Sequence, residues 1–247
     1  MQNHKSVSIV MPAYKEEDFI QQTLLNFINE FRKNRIDFEI IVIIDRVPND
    51  NTYTKALEVS KKNKEIRIIV RDGKQGIGKA VAKGIECATK NCIIITTAEI
   101  SEEPEDLVKM CLKMNDGYDM VFGNRFYPGA KRRGYNRKKH IGNRLCNYTI
   151  KILFGIKSND ITNGIKVYKS EILKNMKLRC TEFDIFAEIP IKAYLEGYRN
   201  FIEIPITHKA RDDLYSKFDL SKLSRMYFKI VMQCYFQKLF NSKRMTN

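Results

Sequence analysis

The sequence predicts an α/β protein with a mostly parallel sheet flanked by helices, and three observations support this prediction. Apolar segments of strand length alternate with segments of helical spacing through the first half of the chain. The run Phe38–Ile44 is continuously apolar, which is typical of a parallel strand buried on both faces. Polar loops follow the apolar runs, at the strand ends where such sheets bind ligands.

The first half of the chain divides into five predicted strands and four predicted helices. Val7–Met11 is a short β-branched run that ends at Pro12, and Phe19–Phe31 carries apolar residues at helical spacing. The other strands are Phe38–Ile44, Ile66–Val70, Cys92–Thr96 and Met120–Phe122, and the other helices are Thr54–Lys62, Gly78–Ala88 and Pro104–Met114. Strands that alternate with helices favour right-handed crossovers between parallel strands.

After Gly123 the pattern is looser. A basic loop, which includes residues 131–133 and 137–139, leads to a predicted helix around Leu145–Phe154. A helix at Ile185–Leu195, a strand at Ile202–Ile206 and a last helix at Asp219–Phe240 follow. We therefore expect one domain over residues 1–218, followed by a basic amphipathic helix and tail over residues 219–247.

Composition excludes several classes of protein. A chain of 247 residues with 43% hydrophobic and 30% charged residues is neither disordered nor an integral membrane protein. The N-terminal apolar run is too short and too early for a signal peptide, and no apolar stretch approaches the roughly 20 residues that span a bilayer. The six cysteines show no C-x-x-C spacing, which predicts reduced thiols, no zinc site and a cytoplasmic protein.

The net charge of +15 predicts affinity for polyanions. Nucleic acid, anionic lipid surfaces and phosphorylated substrates are the three candidate classes, and a solvated lysine-rich surface is the alternative that needs no partner. Beyond the charge itself the sequence contains no nucleic-acid-binding motif, so we expect no nucleic-acid partner.

Two polar loops follow the first two strands. The first offers the ring of Tyr14, which could stack on a base, and the carboxylate of Glu16, although an acidic residue near a helix N-terminus has a purely structural explanation too. The second begins at Asp45, at the end of a buried strand. An unpaired carboxylate is costly there, so Asp45 is expected to have a ligand or a partner.

The loop after the third strand nearly matches a P-loop. Gly73, Gly78 and Lys79 fit the pattern G-x-x-x-x-G-K, but the next residue is Ala80, which has no hydroxyl for Mg²⁺. A glycine-rich turn into a helix still favours phosphate binding or close backbone approach, here at Gly76 and Lys79.

The loop after the fourth strand contains Thr97-Ala98-Glu99. Residues two apart at a strand end face the same way, so Thr97 and Glu99 are expected to point together into the ligand crevice.

Taken together, six segments resemble the family-2 glycosyltransferases of the GT-A fold, and within them the polyprenyl-phosphate branch that includes dolichol-phosphate-mannose-synthase-like enzymes. VSIVMPAYKEE resembles the opening strand and P-A-Y-N-E-E loop, IIVIIDRVPNDNT the D-D-G-S-x-D-x-T segment, and GKQGIGKAVAKGIE the glycine-rich helix start. VFGNRF resembles G-S-R-[YF], SNDITNGIKVY resembles D-x-T-S-G-F-[RK], and EIPITHKARDDLYSK resembles E-V-P-[IV] with R-x-x-G-x-S-K. The resemblance covers nearly the whole chain.

The resemblance implies a nucleotide-sugar donor, a Mg²⁺ or Mn²⁺ ion and an inverting hexosyl transfer to a lipid-linked or saccharide acceptor. By position, the residues that it implies for nucleotide-sugar binding are Pro12, Tyr14, Glu16, Asp45, Gly76, Lys79, Ala98, Arg211 and Lys217. Glu99 and Thr97 would hold the metal, and Arg125 would lie near the acceptor phosphate.

Several positions depart from the family pattern. The family's D-A-D is Thr97-Ala98-Glu99, so one carboxylate is lost and the other lengthened. Lys15, Arg46, Ser101 and Leu214 replace an Asn, an Asp, a Gln and a Gly. Mg²⁺ can be held by one carboxylate together with substrate phosphates, so Glu99 could suffice. The alternative is a non-catalytic nucleotide-sugar-binding or scaffold protein.

The acceptor decides whether catalysis needs a general base. A phosphate acceptor is already anionic and needs none, whereas a sugar hydroxyl would need a carboxylate, for which Asp184 is the candidate.

The C-terminal segment predicts a basic amphipathic helix. Leu223, Tyr227, Ile230, Val231 and Cys234 share one helical stripe, and Lys222, Arg225 and Lys229 share another. Such a helix could lie on an anionic membrane surface, which would make the protein peripheral on the inner face of the membrane. The alternatives are that the stripe packs on the domain, or on a second copy in a homodimer.

Overall fold

Seven strands form one sheet at the centre of the computed structural model, which describes residues 6–73, 75–99, 103–133, 137–209 and 220–244. For residues 133, 137–139, 220–223 and 241–244 it describes the backbone alone. In chain order the elements are β1 (Val7–Ala13), α1 (Ile20–Lys33), β2 (Phe38–Arg46), α2 (Thr52–Ser60), β3 (Ile66–Asp72), α3 (Ile77–Cys87), β4 (Cys92–Ile95), α4 (Pro104–Met114), β5 (Met120–Asn124), β6 (Lys131–Arg133), α5 (Arg137–Phe154), β7 (Lys166–Lys169), α6 (Ser170–Lys174), α7 (Ile185–Leu195), β8 (Phe201–Pro205), β9 (Thr207–Lys209) and α8 (Leu220–Arg244).

The sheet is mostly parallel, as the sequence predicts. Its strand order is β3-β2-β1-β4-β7-β5-β8, and β7 alone among these runs antiparallel to its two neighbours. Each of the first three crossovers carries a helix, and the chain reverses its direction of travel across the sheet between β1 and β4. Sheets of this kind bind ligands beyond the strand ends at such a reversal.

Burial explains why these segments form strands and helices. Residues 38–45 of β2 are all buried, because β2 has a strand on each side and helices on both faces. On α1 the buried apolar residues Ile20, Leu24, Phe27, Ile28 and Phe31 fall at helical spacing, which confirms the prediction for this segment. The α4 helix begins at Pro104, whose missing N–H costs nothing in the first turn.

Helices cover both faces of the sheet and divide the core into two layers. One layer contains α1, α2 and α4, and the other contains α3, α5, α6, α7 and α8. Alternate residues of a strand enter opposite layers, so that Val42 and Ile44 of β2 pack in the first layer and Ile41 and Ile43 in the second.

The second half differs from the prediction in several places, which include the unpredicted α6 and β9. The predicted basic loop is partly ordered, because residues 131–133 form β6, which pairs with β9, and α5 begins at Arg137 rather than near Leu145. The sequence also did not predict β7, although this strand closes the gap between β4 and β5. Short strands such as β6, β7 and β9 give no usable period and depend on partners that are distant in sequence.

The apolar stripe predicted on the last helix packs against the domain. Ile230, Val231 and Cys234 are buried in the layer that also contains α5 and α7, and Tyr227 donates its hydroxyl to the Phe183 carbonyl at 2.9 Å. Of the three alternatives for this stripe, packing on the domain is therefore the one observed. The side chain of Leu223 and the predicted boundary at residues 218 and 219 lie outside what the structure describes, so the two-part division stays a prediction.

Two further expectations concern thiols and membrane spans. All six cysteines are free thiols. Within the described ranges, no helix combines the length and the apolar character needed to cross a bilayer.

Candidate functional site

The polar loops that the sequence singled out meet at one edge of the sheet. The strands β1, β2, β3 and β4 are parallel, and β5 runs the same way because both β4 and β5 are antiparallel to β7. The carboxyl ends of these strands therefore point to a single edge, where Asp45 lies at the end of β2 and Glu99 follows β4. The loops after β1 and β4 border the crevice at which the strand order reverses.

The first loop is pinned to the helix that follows β2. The backbone N–H of Glu16 donates to the Thr52 hydroxyl oxygen at 2.8 Å. The Glu16 carbonyl accepts from the N–H groups of Phe19 and Ile20, where α1 begins. Tyr14 is 36% exposed, and the Lys15 Nζ lies 5.8 Å from its ring centroid. Pro12 belongs to β1 itself, beyond the last residue that pairs with β4, so any contact from it would come from the strand end.

Asp45 has a protein partner, which was one of its two predicted explanations. Arg71 of β3 donates its Nε to Oδ1 at 2.7 Å, and the Gln75 backbone N–H donates to Oδ2 at 2.9 Å. The Arg71 guanidinium also donates to the Gly76 carbonyl at 3.1 Å. Because Asp45 and Arg71 have side chains only 6% and 10% exposed, this nearly buried pair fixes the end of β2 to the turn before α3.

The glycine-rich turn brings two backbones together. Gly76 has a φ of 92°, and a Cβ there would lie 2.3 Å from the Thr181 carbonyl oxygen. The Gly78 N–H donates to that same oxygen at 2.9 Å, so an N-terminal amide of α3 is already bonded within the protein. This use of the amide argues against the P-loop alternative, while Lys79 is exposed.

A buried carboxylate that sequence reasoning missed orders the segment opposite this turn. Glu188, fully buried on α7, accepts from the backbone N–H groups of Arg179 and Cys180 at 2.9 and 2.8 Å, and from Lys192. The i, i+4 spacing of Glu188 and Lys192 was the available sequence signal. This network holds the chain that leads to Asp184.

Asp184 stands at the N-terminus of α7, at the same edge. Its Oδ1 atom is buried and has no hydrogen-bond partner among the described residues. Burial and a hydrogen bond to Asp184 raise the pKa of the Cys180 thiol well above its usual range. A carboxylate with one unsatisfied buried oxygen is suited to accept a proton or a hydrogen bond from a ligand.

The segment after β4 holds the two candidate metal ligands. Ala98 is buried, and its carbonyl accepts from the Thr23 hydroxyl at 3.0 Å, which anchors the segment to α1. Thr97 and Glu99 are half-buried on either side of it. In the described residues no group of three His, Cys, Asp or Glu side chains could hold a metal alone. One carboxylate and one hydroxyl do fit an ion whose other ligands are phosphate oxygens and water.

Arg125 leads into a buried cluster of charges. Its guanidinium donates Nε to Asp160 Oδ2 at 2.9 Å and Nη2 to Oδ1 at 2.7 Å. Lys166, fully buried nearby, donates to the Asn163 carbonyl, and burial lowers its pKa to about 7. Asp160 opposes that shift and Arg125 reinforces it. Asp160 and Lys166 lie in the motif SNDITNGIKVY, which was the signal available for them.

The three buried side-chain atoms that lack a hydrogen-bond partner within the described ranges all lie near this edge. They are Thr96 Oγ1 after β4, Asn124 Nδ2 at the end of β5, and Asp184 Oδ1. Buried polar groups are nearly always bonded, so their concentration at one edge is typical of a ligand site.

Arg211 and Lys217, together with Ser101 and Leu214, lie outside the described residues. The role of these residues, like the ligand contacts of the other named site residues, stays a prediction.

A comparison with protein families identifies the chain. The model of glycosyl transferase family 2 matches residues 8–177, which is more than half of the sequence. The chain belongs to this family. The resemblance drawn from six motifs is therefore confirmed, and the sheet with its flanking helices is the GT-A fold.

Two proteins with similar sequences support the assignment of the chain to glycosyl transferase family 2. It is 29% identical over 248 residues to an uncharacterised protein of Methanocaldococcus jannaschii, covering 96% of this chain and 94% of that one. It is 26% identical over 208 residues to a dolichol-phosphate mannosyltransferase of Pyrococcus furiosus, covering 83% of this chain. The match spans 57% of the length of the Pyrococcus enzyme.

Solved structures support the fold. A glucosyl-3-phosphoglycerate synthase from Mycobacterium tuberculosis in complex with UDP superposes with a TM-score of 0.72 at 14% identity, covering 94% of this chain and 80% of that one. The same enzyme with Mn²⁺, UDP-glucose and phosphoglyceric acid gives a TM-score of 0.71 at 16% identity, covering 94% and 80%. At these identities the likeness establishes the GT-A fold of the family 2 glycosyltransferase and not its substrate.

Proposed function

We propose that the protein transfers a hexose from a nucleotide-diphosphate sugar to a polyprenyl phosphate or another cell-envelope glycan acceptor. One observation carries the proposal: in a family 2 chain, Tyr14, Asp45 and Thr97–Glu99 lie at or just after the ends of neighbouring strands, at the edge where the strand order reverses. This edge thereby offers one extended nucleotide-sugar donor an aromatic ring for its base, a fixed carboxylate and a candidate metal ligand.

In this proposal Glu99 and Thr97 would hold a Mg²⁺ or Mn²⁺ ion together with phosphate oxygens of the donor. The ion would act as a Lewis acid that neutralises the charge on the leaving diphosphate. The neighbouring enzyme from Mycobacterium tuberculosis was crystallised with Mn²⁺ and UDP, which supports this expectation. Arg211 and Lys217 are proposed to contact the same phosphates.

The transfer forms one bond and breaks one. The acceptor oxygen attacks the anomeric carbon of the sugar, and the bond from that carbon to the β-phosphate oxygen breaks, so that the nucleoside diphosphate leaves with the electron pair. In-line attack inverts the configuration at the anomeric carbon. Preorganised positive charge at the developing diphosphate is expected to be the largest contribution of the protein.

The charge around Arg125 favours an anionic acceptor over a neutral one. Residues 124–159 contain ten Lys and Arg and no Asp or Glu. A region of one sign raises the local concentration of the opposite charge. A phosphate acceptor needs no general base, whereas transfer to a hydroxyl would use Asp184. The likeness to a dolichol-phosphate mannosyltransferase supports the lipid phosphate as the first acceptor to test.

A non-catalytic nucleotide-sugar-binding protein is the second candidate. It is favoured by Thr97, which stands where the resemblance implies a carboxylate. Both candidates bind the nucleotide, and only the first releases nucleoside diphosphate.

Nucleotide binding tests what the two candidates share. We expect calorimetry to show binding of UDP or GDP in the presence of Mn²⁺, and Asp45→Asn to weaken it by at least about tenfold. Asp72→Asn is the matched control, because Asp72 lies on the neighbouring strand and pairs with exposed Arg46. Asp45→Asn removes the counter-charge of nearly buried Arg71 and should lower the melting temperature, so binding is compared below the temperature at which either variant begins to unfold. Failure of the folded wild-type protein to bind any nucleoside diphosphate with Mn²⁺ would refute the proposed function.

A further inference from the structure

The outer face of α5 carries an apolar stripe that nothing in the described structure covers. Ile141, Leu145, Tyr148 and Ile152 are 67%, 66%, 63% and 62% exposed. Their spacings of four, three and four residues place them on one side of the helix. The opposite side is ordinary core, where Ile150 and Phe154 are buried. The helix therefore has two apolar faces, of which the domain buries one.

The neighbouring helix α8 adds exposed apolar residues. Phe228, Phe236, Leu239 and Phe240 are 67%, 52%, 42% and 68% exposed. The two helices pack together, since the rings of Phe154 and Tyr235 lie 6.3 Å apart and Lys238 donates to the Leu153 carbonyl at 2.8 Å. Among the described residues, every large hydrophobic side chain that is more than 60% exposed lies on α5 or α8.

Both helices are positively charged throughout. The sequence of α5 contains Arg137, Lys138, Lys139, Arg144 and Lys151, and the sequence of α8 contains Lys222, Arg225, Lys229, Lys238, Lys243 and Arg244. Neither helix contains an Asp or a Glu. An apolar stripe with Tyr and Phe on a helix rich in Lys and Arg is the composition of helices that lie in the interface of an anionic bilayer.

The positive charge also argues against a second copy of this chain as the partner that covers α5 and α8. A symmetric dimer through α5 and α8 would bring two wholly basic helix pairs together, on two chains that each carry a net charge of +15. Like charges across an interface oppose association. An anionic surface reverses the sign of that interaction, and its acyl region accepts the apolar stripe.

We infer that α5 and α8 form a docking surface for an anionic lipid bilayer. The exposed stripe on α5 is the apolar anchor, and the exposed apolar residues of α8 extend it. This differs from the sequence-based expectation, which assigned the membrane to the stripe of α8 that the structure buries against the domain.

The inner side of α5 connects this surface to the candidate site. Asn143 and Asn147 donate their side-chain amides to the Thr162 hydroxyl at 2.7 and 3.0 Å. Thr162 lies two residues after Asp160, which holds Arg125. The helix that rests on lipid thus also holds the loop that positions Arg125. The inference rests on the proposed function for its purpose, since it would present the site to a lipid-linked acceptor.

Vesicle sedimentation of the full chain tests the inference without any turnover. The vesicles are phosphatidylcholine alone, or phosphatidylcholine and phosphatidylglycerol in equal parts. We expect the wild type to sediment with the phosphatidylglycerol vesicles at low salt and to be largely released at high salt. The double variant Leu145→Gln/Ile152→Gln should bind about tenfold or more weakly. The matched control Leu25→Gln/Leu112→Gln changes exposed leucines on α1 and α4, in the opposite layer, and should bind as the wild type does.

Thermal unfolding and UDP or GDP binding in solution accompany each measurement, and both should be unchanged in the two double variants. Wild-type protein that ignores phosphatidylglycerol vesicles at low salt overturns the inference. So does a Leu145→Gln/Ile152→Gln variant that binds as tightly as the control, or a wild-type dimer that this variant converts to monomer. These results leave nucleotide binding intact, whereas loss of nucleotide binding by the wild type would refute the proposed function instead.

Discussion

Arg125 and Asp160 form a two-point ion pair at the carboxyl edge of the sheet. Two nitrogens of the guanidinium lie 2.9 and 2.7 Å from the two carboxylate oxygens, and the Arg125 backbone N–H donates to the same carboxylate at 2.9 Å. The side chains are 11% and 0% exposed. Asp160 therefore fixes both the backbone and the side chain of the residue that follows β5.

Asp160→Asn is expected to destabilise the fold by roughly 3 kcal/mol, because it leaves a nearly buried guanidinium without its counter-charge. Urea unfolding monitored by circular dichroism measures the effect. The control is Asp37→Asn, since Asp37 pairs with Lys90 at an exposed site and should cost less than about 1 kcal/mol. Equal losses in the two variants would contradict a structural role for the Arg125–Asp160 pair.

Glu99→Ala is expected to remove most turnover and most metal-dependent nucleotide affinity, whereas Thr97→Ala should do less. A carboxylate is a strong ligand for Mg²⁺ or Mn²⁺ and a neutral hydroxyl is a weak one. Restoring a carboxylate with Thr97→Asp should leave nucleotide binding intact and raise the affinity for metal. Metal titrations followed by calorimetry test all three variants. Full activity of Glu99→Ala in the presence of chelator would exclude a metal site at this position.

Gly76→Ala should be more destabilising than Gly155→Ala. Both glycines have positive φ, but Gly76 combines a φ of 92° with a ψ of 145°, a conformation that is almost restricted to glycine, so its substitution carries the larger backbone penalty. Only at Gly76 does the new Cβ meet a backbone atom, the Thr181 oxygen, whereas nothing lies within 4 Å at Gly155. The difference between their unfolding free energies should be at least about 1–3 kcal/mol, because the usual cost of overpacking adds to the larger backbone penalty at Gly76. Indistinguishable values would mean that the turn and the Thr181 segment separate easily.

Protonation of His208 is expected to lower the free energy of unfolding on mild acidification. Burial, reinforced by Arg125, lowers its pKa to about 4 from a usual value near 6.5. The unfolded chain therefore binds more protons between these two values, and stability falls as the pH falls from 6.5 towards 4. Between pH 6.5 and pH 5 the loss from this group should be on the order of 1–2 kcal/mol. Unfolding free energies of wild type and His208→Gln across this range should converge at low pH, and parallel curves would contradict the assignment.

The long segments of the fold were predictable because they repeat a local pattern. Phe19–Phe31 is long enough for a helical period to be recognised, and burial follows that period. Phe38–Ile44 is recognised instead by its continuous apolar run, and all of its residues are buried. The edge at which the site lies was predictable as well, since parallel strands send their carboxyl ends the same way. Asp45 and Glu99 therefore share an edge, as the sequence implies.

What the sequence could not supply depends on contacts between distant segments. Strand β7 is four residues long and exists because β4 and β5 lie on either side of it. The partner of Asp45 lies 26 residues away, and the partner of Arg125 lies 35 residues away. On α8 the apolar period identified a stripe, but it did not show whether the domain, a membrane or a second copy would cover that stripe. The exposed stripe of α5 lies in a segment whose first part the sequence analysis interpreted as a basic loop.

The proposed activity is hexosyl transfer from a nucleotide-diphosphate sugar. The most direct measurement incubates the wild-type protein with Mg²⁺ or Mn²⁺, polyprenyl phosphate and a panel of nucleotide sugars that begins with GDP-mannose and UDP-glucose. Released nucleoside diphosphate and the glycosylated lipid are then quantified. We predict that one donor gives nucleoside diphosphate and glycosylated lipid in equal amounts, and that Glu99→Ala loses most of both. Tight nucleotide binding without release for any donor and acceptor would contradict catalysis and assign the protein to the binding class.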